Sequence, residues 1–108
     1  MKEPFGEYIR KLRTEKNLTL TQLAAQLDMD SANLSKVENG KRDFDERRLD
    51  KLAKSFGLDI DKLNTEFYSD FIAKKIYHTN CYDATLMLAD EKIKYLRQKK
   101  MNQGTLNF

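Results

Sequence analysis

Residues 18–40 read LTLTQLAAQLDMDSANLSKVENG, and their pattern decides the fold. Thr19 is a favoured helix-capping residue, and Leu23, Ala24 and Leu27 follow it at helical spacing, which predicts a helix of about two turns with those three inward. Asp28-Met29-Asp30 then interrupts the apolar pattern. A further short helix follows at once, from Ser31 to Glu38, burying Leu34 and Val37. Asn39-Gly40 closes it, because glycine adopts the left-handed conformation that a helix end often requires.

Outward from this pair, the rest of the chain also reads as helix. Phe5, Ile9 and Leu12 form one stripe, with Pro4 suited to a first turn and Lys16-Asn17 ending it. On the other side Asp43 or Asp45 caps a helix that buries Leu49, Leu52, Ala53 and Phe56 and stops at Gly57. A fifth helix starts near Asp59, carries Ile60 and Leu63, and continues through Phe67, Phe71 and Ile72 toward Tyr77. His78-Thr79-Asn80 marks a break. Asn80, with Asp83 three residues on, then caps a last helix in which Tyr82, Leu86, Ala89, Ile93 and Leu96 recur at intervals of four, three, four and three. The polar tail from Lys99 is expected to fray. Pro4, Gly6, Gly40, Gly57 and Gly104 are the strong breakers.

A chain of 108 residues, 40% hydrophobic and 34% charged, has the size of one domain with an appendage. The longest apolar stretch, near Leu86-Met87-Leu88-Ala89, is far too short to span a membrane. Met1-Lys2-Glu3-Pro4 leads into a charged amphipathic pattern without an apolar signal core, so a cytoplasmic location is expected. The single cysteine, Cys81, closes no disulfide within the chain. A net charge of +3 says little about a partner, so nucleic acid must be argued from the placement of the charges.

Two short helices separated by a three-residue turn, packed through Leu23, Ala24, Leu27, Leu34 and Val37, have the geometry of a helix-turn-helix. The run from Leu18 to Ala24 and on through Leu34-Ser35-Lys36-Val37-Glu38-Asn39-Gly40-Lys41-Arg42 resembles the phage repressor and Cro type of DNA-binding domain, the XRE family, over roughly residues 5 to 66. The resemblance implies a five-helix repressor-like DNA-binding domain over residues 1–66; residues 67–108 lie outside it and read, from their own spacing, as a C-terminal helical extension of an all-α protein. It also implies a structural pair between Arg13 and Glu38 that orients the third helix. Two positions depart from the family pattern. Leu20 stands where glutamine is frequent, which removes a side-chain contact, and Asp28 stands where glycine is common, in a turn that requires positive φ.

The third helix supports the same function from its own residues. With Leu34 and Val37 inward, Ala32 and Lys36 lie opposite, flanked by Ser31, Asn33, Ser35 and Asn39. Such a small, polar face suits close approach to the major groove. Asn33 is matched to adenine, Lys36 to guanine and Ala32 to a thymine methyl, while Ser31 and Ser35 suit bases or phosphate. An exposed helix face is polar in any case, so the motif as a whole carries the DNA reading. Phosphate contacts are expected from Thr19 and the backbone amides of Leu20 and Thr21, and from Asn39, Lys41 and Arg42. Arg47 and Arg48 are left out of this set, since on the fourth helix at least one is expected to be solvated or paired with Asp43 or Asp45.

One such motif covers about half a turn of groove, so affinity usually comes from a dimer on two half-sites. Phe71, Tyr82, Leu86, Ala89, Ile93 and Leu96 are the candidate dimerisation residues, although the same helices would also serve as an intrachain hairpin. His78 and Cys81 lack the further partners that catalysis or a metal site needs, and no cofactor is implied. No aromatic platform for stacking RNA bases lies on the reading helix. The expected function is that of a dimeric, double-stranded-DNA-binding transcriptional regulator on an inverted repeat, a repressor or a restriction-modification-type controller. The competing reading is an antitoxin or adaptor whose last helices hold an unidentified protein partner.

Overall fold

Short polar side chains cap several of the helices. The computed structural model describes residues 2–107, and the side chains of residues 2–101. Phe5–Glu15 forms α1, Leu20–Gln26 α2, Ser31–Glu38 α3, Leu49–Phe56 α4, Ile60–Ile76 α5 and Tyr82–Asn107 α6, with a 3-10 turn at Glu46–Arg48 leading into α4. Thr19 accepts from the Gln22 amide at the start of α2, Asp30 from Ala32 at α3, Asp45 from Arg47 at the 3-10 turn, and Asp59 from Asp61 at α5.

The first four helices end by one device. Asn17, Asp28, Gly40 and Gly57 take φ values of 56°, 57°, 75° and 62°. Each reverses the chain so that the next amide reaches a carbonyl of the last turn: Leu18 to Arg13 at 3.1 Å, Met29 to Ala24 at 2.9 Å, Lys41 to Lys36 at 2.8 Å and Leu58 to Ala53 at 2.9 Å. Asp28 thus takes the left-handed conformation that its place in the turn demands.

Around these turns Ile9, Leu23, Leu27, Leu34, Leu52 and Leu63 are fully buried. Gly6 does not break α1 but lies inside it, where α3 crosses so closely that a Cβ would stand 2.1 Å from the Val37 carbonyl oxygen. Phe5 anchors an aromatic cluster, with the Phe44 ring at 5.7 Å and the Phe67 ring edge-on at 5.3 Å. Phe44 lies in a connecting loop, outside any periodic pattern, and is buried nonetheless. Phe67 belongs to this core, so the compact unit extends past residue 66 and runs through Lys74.

The second unit, from Lys75 onward, holds the end of α5, the turn and α6. Asn80 is not the cap of α6: the helix begins at Tyr82, so the Cys81 carbonyl takes the Thr85 amide and hydroxyl, each at 3.0 Å. Nor does α6 fray at Lys99. It continues to Asn107 because Arg97, Gln98, Lys99, Lys100 and Met101 are all strong helix formers. Among the described residues no helix is long and apolar enough to cross a membrane.

Candidate nucleic-acid interface

One ion pair sets the orientation of α3. Glu38, its last residue, is 3% exposed, and a carboxylate that deep requires a charged, hydrogen-bonded partner. Arg13 provides it from α1, with Nε 2.8 Å from Oε2 and Nη2 2.9 Å from Oε1 in a two-pronged fork. The third arm, Nη1, donates to the Leu18 carbonyl at 3.0 Å. A single guanidinium therefore ties together α1, the approach to α2 and the end of α3. Hydrogen bonding to Glu38 holds the Arg13 pKa above its ordinary value. Arg10 adds a longer contact to Glu38 at 3.4 Å and donates to the Asn39 side-chain oxygen.

The turn between α2 and α3 is held from the opposite side. Arg48 Nη1 donates to the carbonyls of Leu27 at 3.0 Å and Asp28 at 2.8 Å, and Lys51 pairs with the Asp28 carboxylate at 3.3 Å. Sequence reasoning missed both clamps, since no local spacing links residues 20 or more positions apart. Arg47, by contrast, turns outward and pairs with Asp45 at 2.9 Å.

With both ends fixed, α3 buries Leu34 and Val37 and directs its other face outward. Ala32 and Lys36 are exposed, and Ser31, Asn33 and Ser35 are half-buried on the flanks. Lys36 and Lys41 are paired with no acidic group among the described residues, so both charges face solvent. A groove-reading helix needs this combination of small side chains where backbones approach and a few long donors beyond them.

The candidate phosphate contacts differ in what they have left to offer. Thr19 accepts from the Gln22 amide at 3.1 Å while its own amide donates to the Gln22 side chain at 2.9 Å, so its oxygen is engaged in capping. The amides of Leu20 and Thr21 precede the first intrahelical bond, and the Leu20 side chain packs against the core. Asn39 is used internally: its amide nitrogen donates to the Ser35 carbonyl at 2.9 Å and its oxygen accepts from Arg10. Lys41 and Arg42 are exposed beyond the end of α3, and Arg42 turns back to donate to the side-chain oxygen of Asn33.

Of the candidate dimerisation residues, Phe71 belongs to the first unit and is 54% exposed. The other five lie on α6, where Tyr82, Leu86, Ile93 and Leu96 are exposed and Ala89 is half-buried. Met87, Leu88 and Tyr95 are exposed as well, although none of them lies on the four-three seam. His78 and Cys81 are exposed beside the turn before α6, and no group of three His, Cys, Asp or Glu that could hold a metal occurs among the described residues.

A helix-turn-helix family profile matches residues 9–63. The HTH-type transcriptional repressor RghR of Bacillus subtilis (strain 168) is 32% identical over 113 residues, covering 92% of this chain and 84% of the relative. Control protein C.MunI of Mycoplasma sp is 38% identical over 60 residues, 55% of this chain and 81% of that protein. The HTH-type transcriptional activator BcrR of Enterococcus faecalis is 42% identical over 59 residues, 55% of this chain and 29% of that protein. No solved structure matches the chain.

Proposed function

The chain belongs to the XRE-type helix-turn-helix family of DNA-binding transcriptional regulators, and from that premise we propose that it represses transcription by binding an inverted repeat as a homodimer. The observation that carries the DNA-reading part is the outer face of α3, small and exposed over Ala32 and Lys36 while Glu38 is locked behind it by Arg13. Ser31, Ala32, Asn33, Ser35 and Lys36 meet base edges; Lys41 and the first amides of α2 meet phosphate. Repression is favoured over restriction-modification control because the likeness to the relative named as a repressor spans 92% of this chain, whereas that to the control protein spans 55%. The dimer reading draws on the exposed apolar side chains of α6, a helix that buries none of its described residues.

A second reading has its own observation. Met87, Leu88 and Tyr95 lie off the seam that a two-stranded pairing covers, and a different protein seated on α6 would cover them. Sedimentation of the full-length protein discriminates: a concentration-dependent dimer supports self-association, and a monomer at all concentrations supports the heterologous partner. For the reading face, the paired change Asn33→Ala and Lys36→Ala is expected to abolish sequence preference in competition binding while leaving the circular dichroism spectrum unchanged. Intact discrimination in that variant contradicts the assignment.

A further inference from the structure

Arg42 lies outside α3 and would ordinarily be taken as a plain phosphate contact. Its Nη1 instead donates to Oδ1 of Asn33, nine residues back and on the flank of the reading face. We propose that Arg42 is a positioning residue for base recognition: it sets which end of the Asn33 amide faces the DNA. The inference rests on the DNA-reading assignment of α3 made above.

The chemistry follows from what each group can do. A guanidinium has five donors and no acceptor, so it tolerates only the oxygen end of an asparagine amide. Left alone, the Asn33 side chain turns through 180° about its last bond at little cost, exchanging a donor for an acceptor. An asparagine that reads adenine must do both jobs in a fixed sense, accepting from the base amino group through Oδ1 and donating to N7 through Nδ2. With the sense reversed it presents the wrong group to both atoms. A donor-only neighbour at Oδ1 removes that alternative and leaves the second lone pair of the oxygen and both Nδ2 protons to the base. Asn33 is half-buried and has no other recorded side-chain partner among the described residues, so Arg42 alone supplies this constraint. Arg42 itself is exposed.

The two roles separate in a competition experiment on full-length protein, using the duplex that the unaltered protein selects from a random-sequence pool and its single-base-pair variants. If Arg42 acts through Asn33, Arg42→Ala lowers discrimination at one base pair by at least about fivefold, the lower end of what a well-made two-pronged base contact contributes. That base pair is the one at which Asn33→Ala also loses discrimination. In the Asn33→Ala background the Arg42 change then has no further effect on discrimination, and Arg42→Lys, which keeps a donor-only cationic head, retains most of it. A plain phosphate contact behaves differently: Arg42→Ala weakens all duplexes equally and reduces the salt slope by about one. That result overturns the positioning role while leaving the reading of α3 intact. Failure of the unaltered protein to select any sequence overturns both.

Discussion

Arg13 holds both oxygens of the deeply buried Glu38 carboxylate, and Arg10 adds only a longer contact to one of them. Removing Arg13 leaves this buried charge with only the longer Arg10 contact, so Arg13→Ala is expected to lower unfolding stability by about 3 kcal/mol. Replacing both together, as Arg13→Met with Glu38→Leu, is expected to cost much less, because no charge is left behind. Urea denaturation of the two variants tests this, and equal losses in both would contradict it. The pairing was legible only through the resemblance to a known family, since residues 13 and 38 share no local pattern. Gly6 was legible as a glycine but not as to its purpose. A chain breaker and a site of close approach look the same in sequence, and only the crossing of α3 over α1 shows that the missing Cβ matters here.

Helix limits were the most legible feature, because caps and left-handed stops are chemical and local. Thr19, Asn39-Gly40 and Gly57 did what their side chains, or lack of them, dictate, and Asp28 accepted the positive φ that its position imposes. What holds the turn in place is non-local and was invisible. Arg48 reaches two carbonyls across the gap from the 3-10 turn, and with Lys51 of α4, which pairs with the Asp28 carboxylate, it braces the two helices that must present a single surface. Arg48→Ala is expected to cost about 1 kcal/mol, given that the group is partly solvated. It is also expected to speed amide exchange at Asp28 and Met29 while leaving α1 unaffected. Exchange followed by NMR checks it, and unchanged protection at the turn would show that packing alone suffices. The end of α6 departs from the local signal for the opposite reason: the polar tail from Lys99 reads as fraying, but the run of helix formers from Arg97 to Met101 carries the helix on.

Phe67 decides where the chain can be cut. Its ring packs against Phe5 in the first core, so a protein ending after Lys74 retains the whole aromatic cluster, whereas one ending at residue 66 loses the Phe67 ring from it. The longer fragment is expected to fold cooperatively. The shorter is expected to be less stable by about 3 kcal/mol or more, as for deletion of a buried phenylalanine. Ending at Lys74 also removes α6, so the longer fragment is expected to sediment as a monomer and to bind DNA far more weakly than the full chain. A dimeric fragment would locate self-association elsewhere. At this level the helical class and the motif were readable from apolar spacing, but the extent of the first core was not, because Phe44 and Phe67 join it through contacts distant in sequence. The central claim, that α3 reads a duplex, is tested most directly by sequencing the fragments that the purified full-length protein retains from a random-sequence pool. The account predicts enrichment of a two-fold-symmetric motif with half-sites about 10 base pairs apart, or a multiple of that. Retained fragments with no shared sequence, or the same motif enriched by the Asn33→Ala and Lys36→Ala variant, would contradict it.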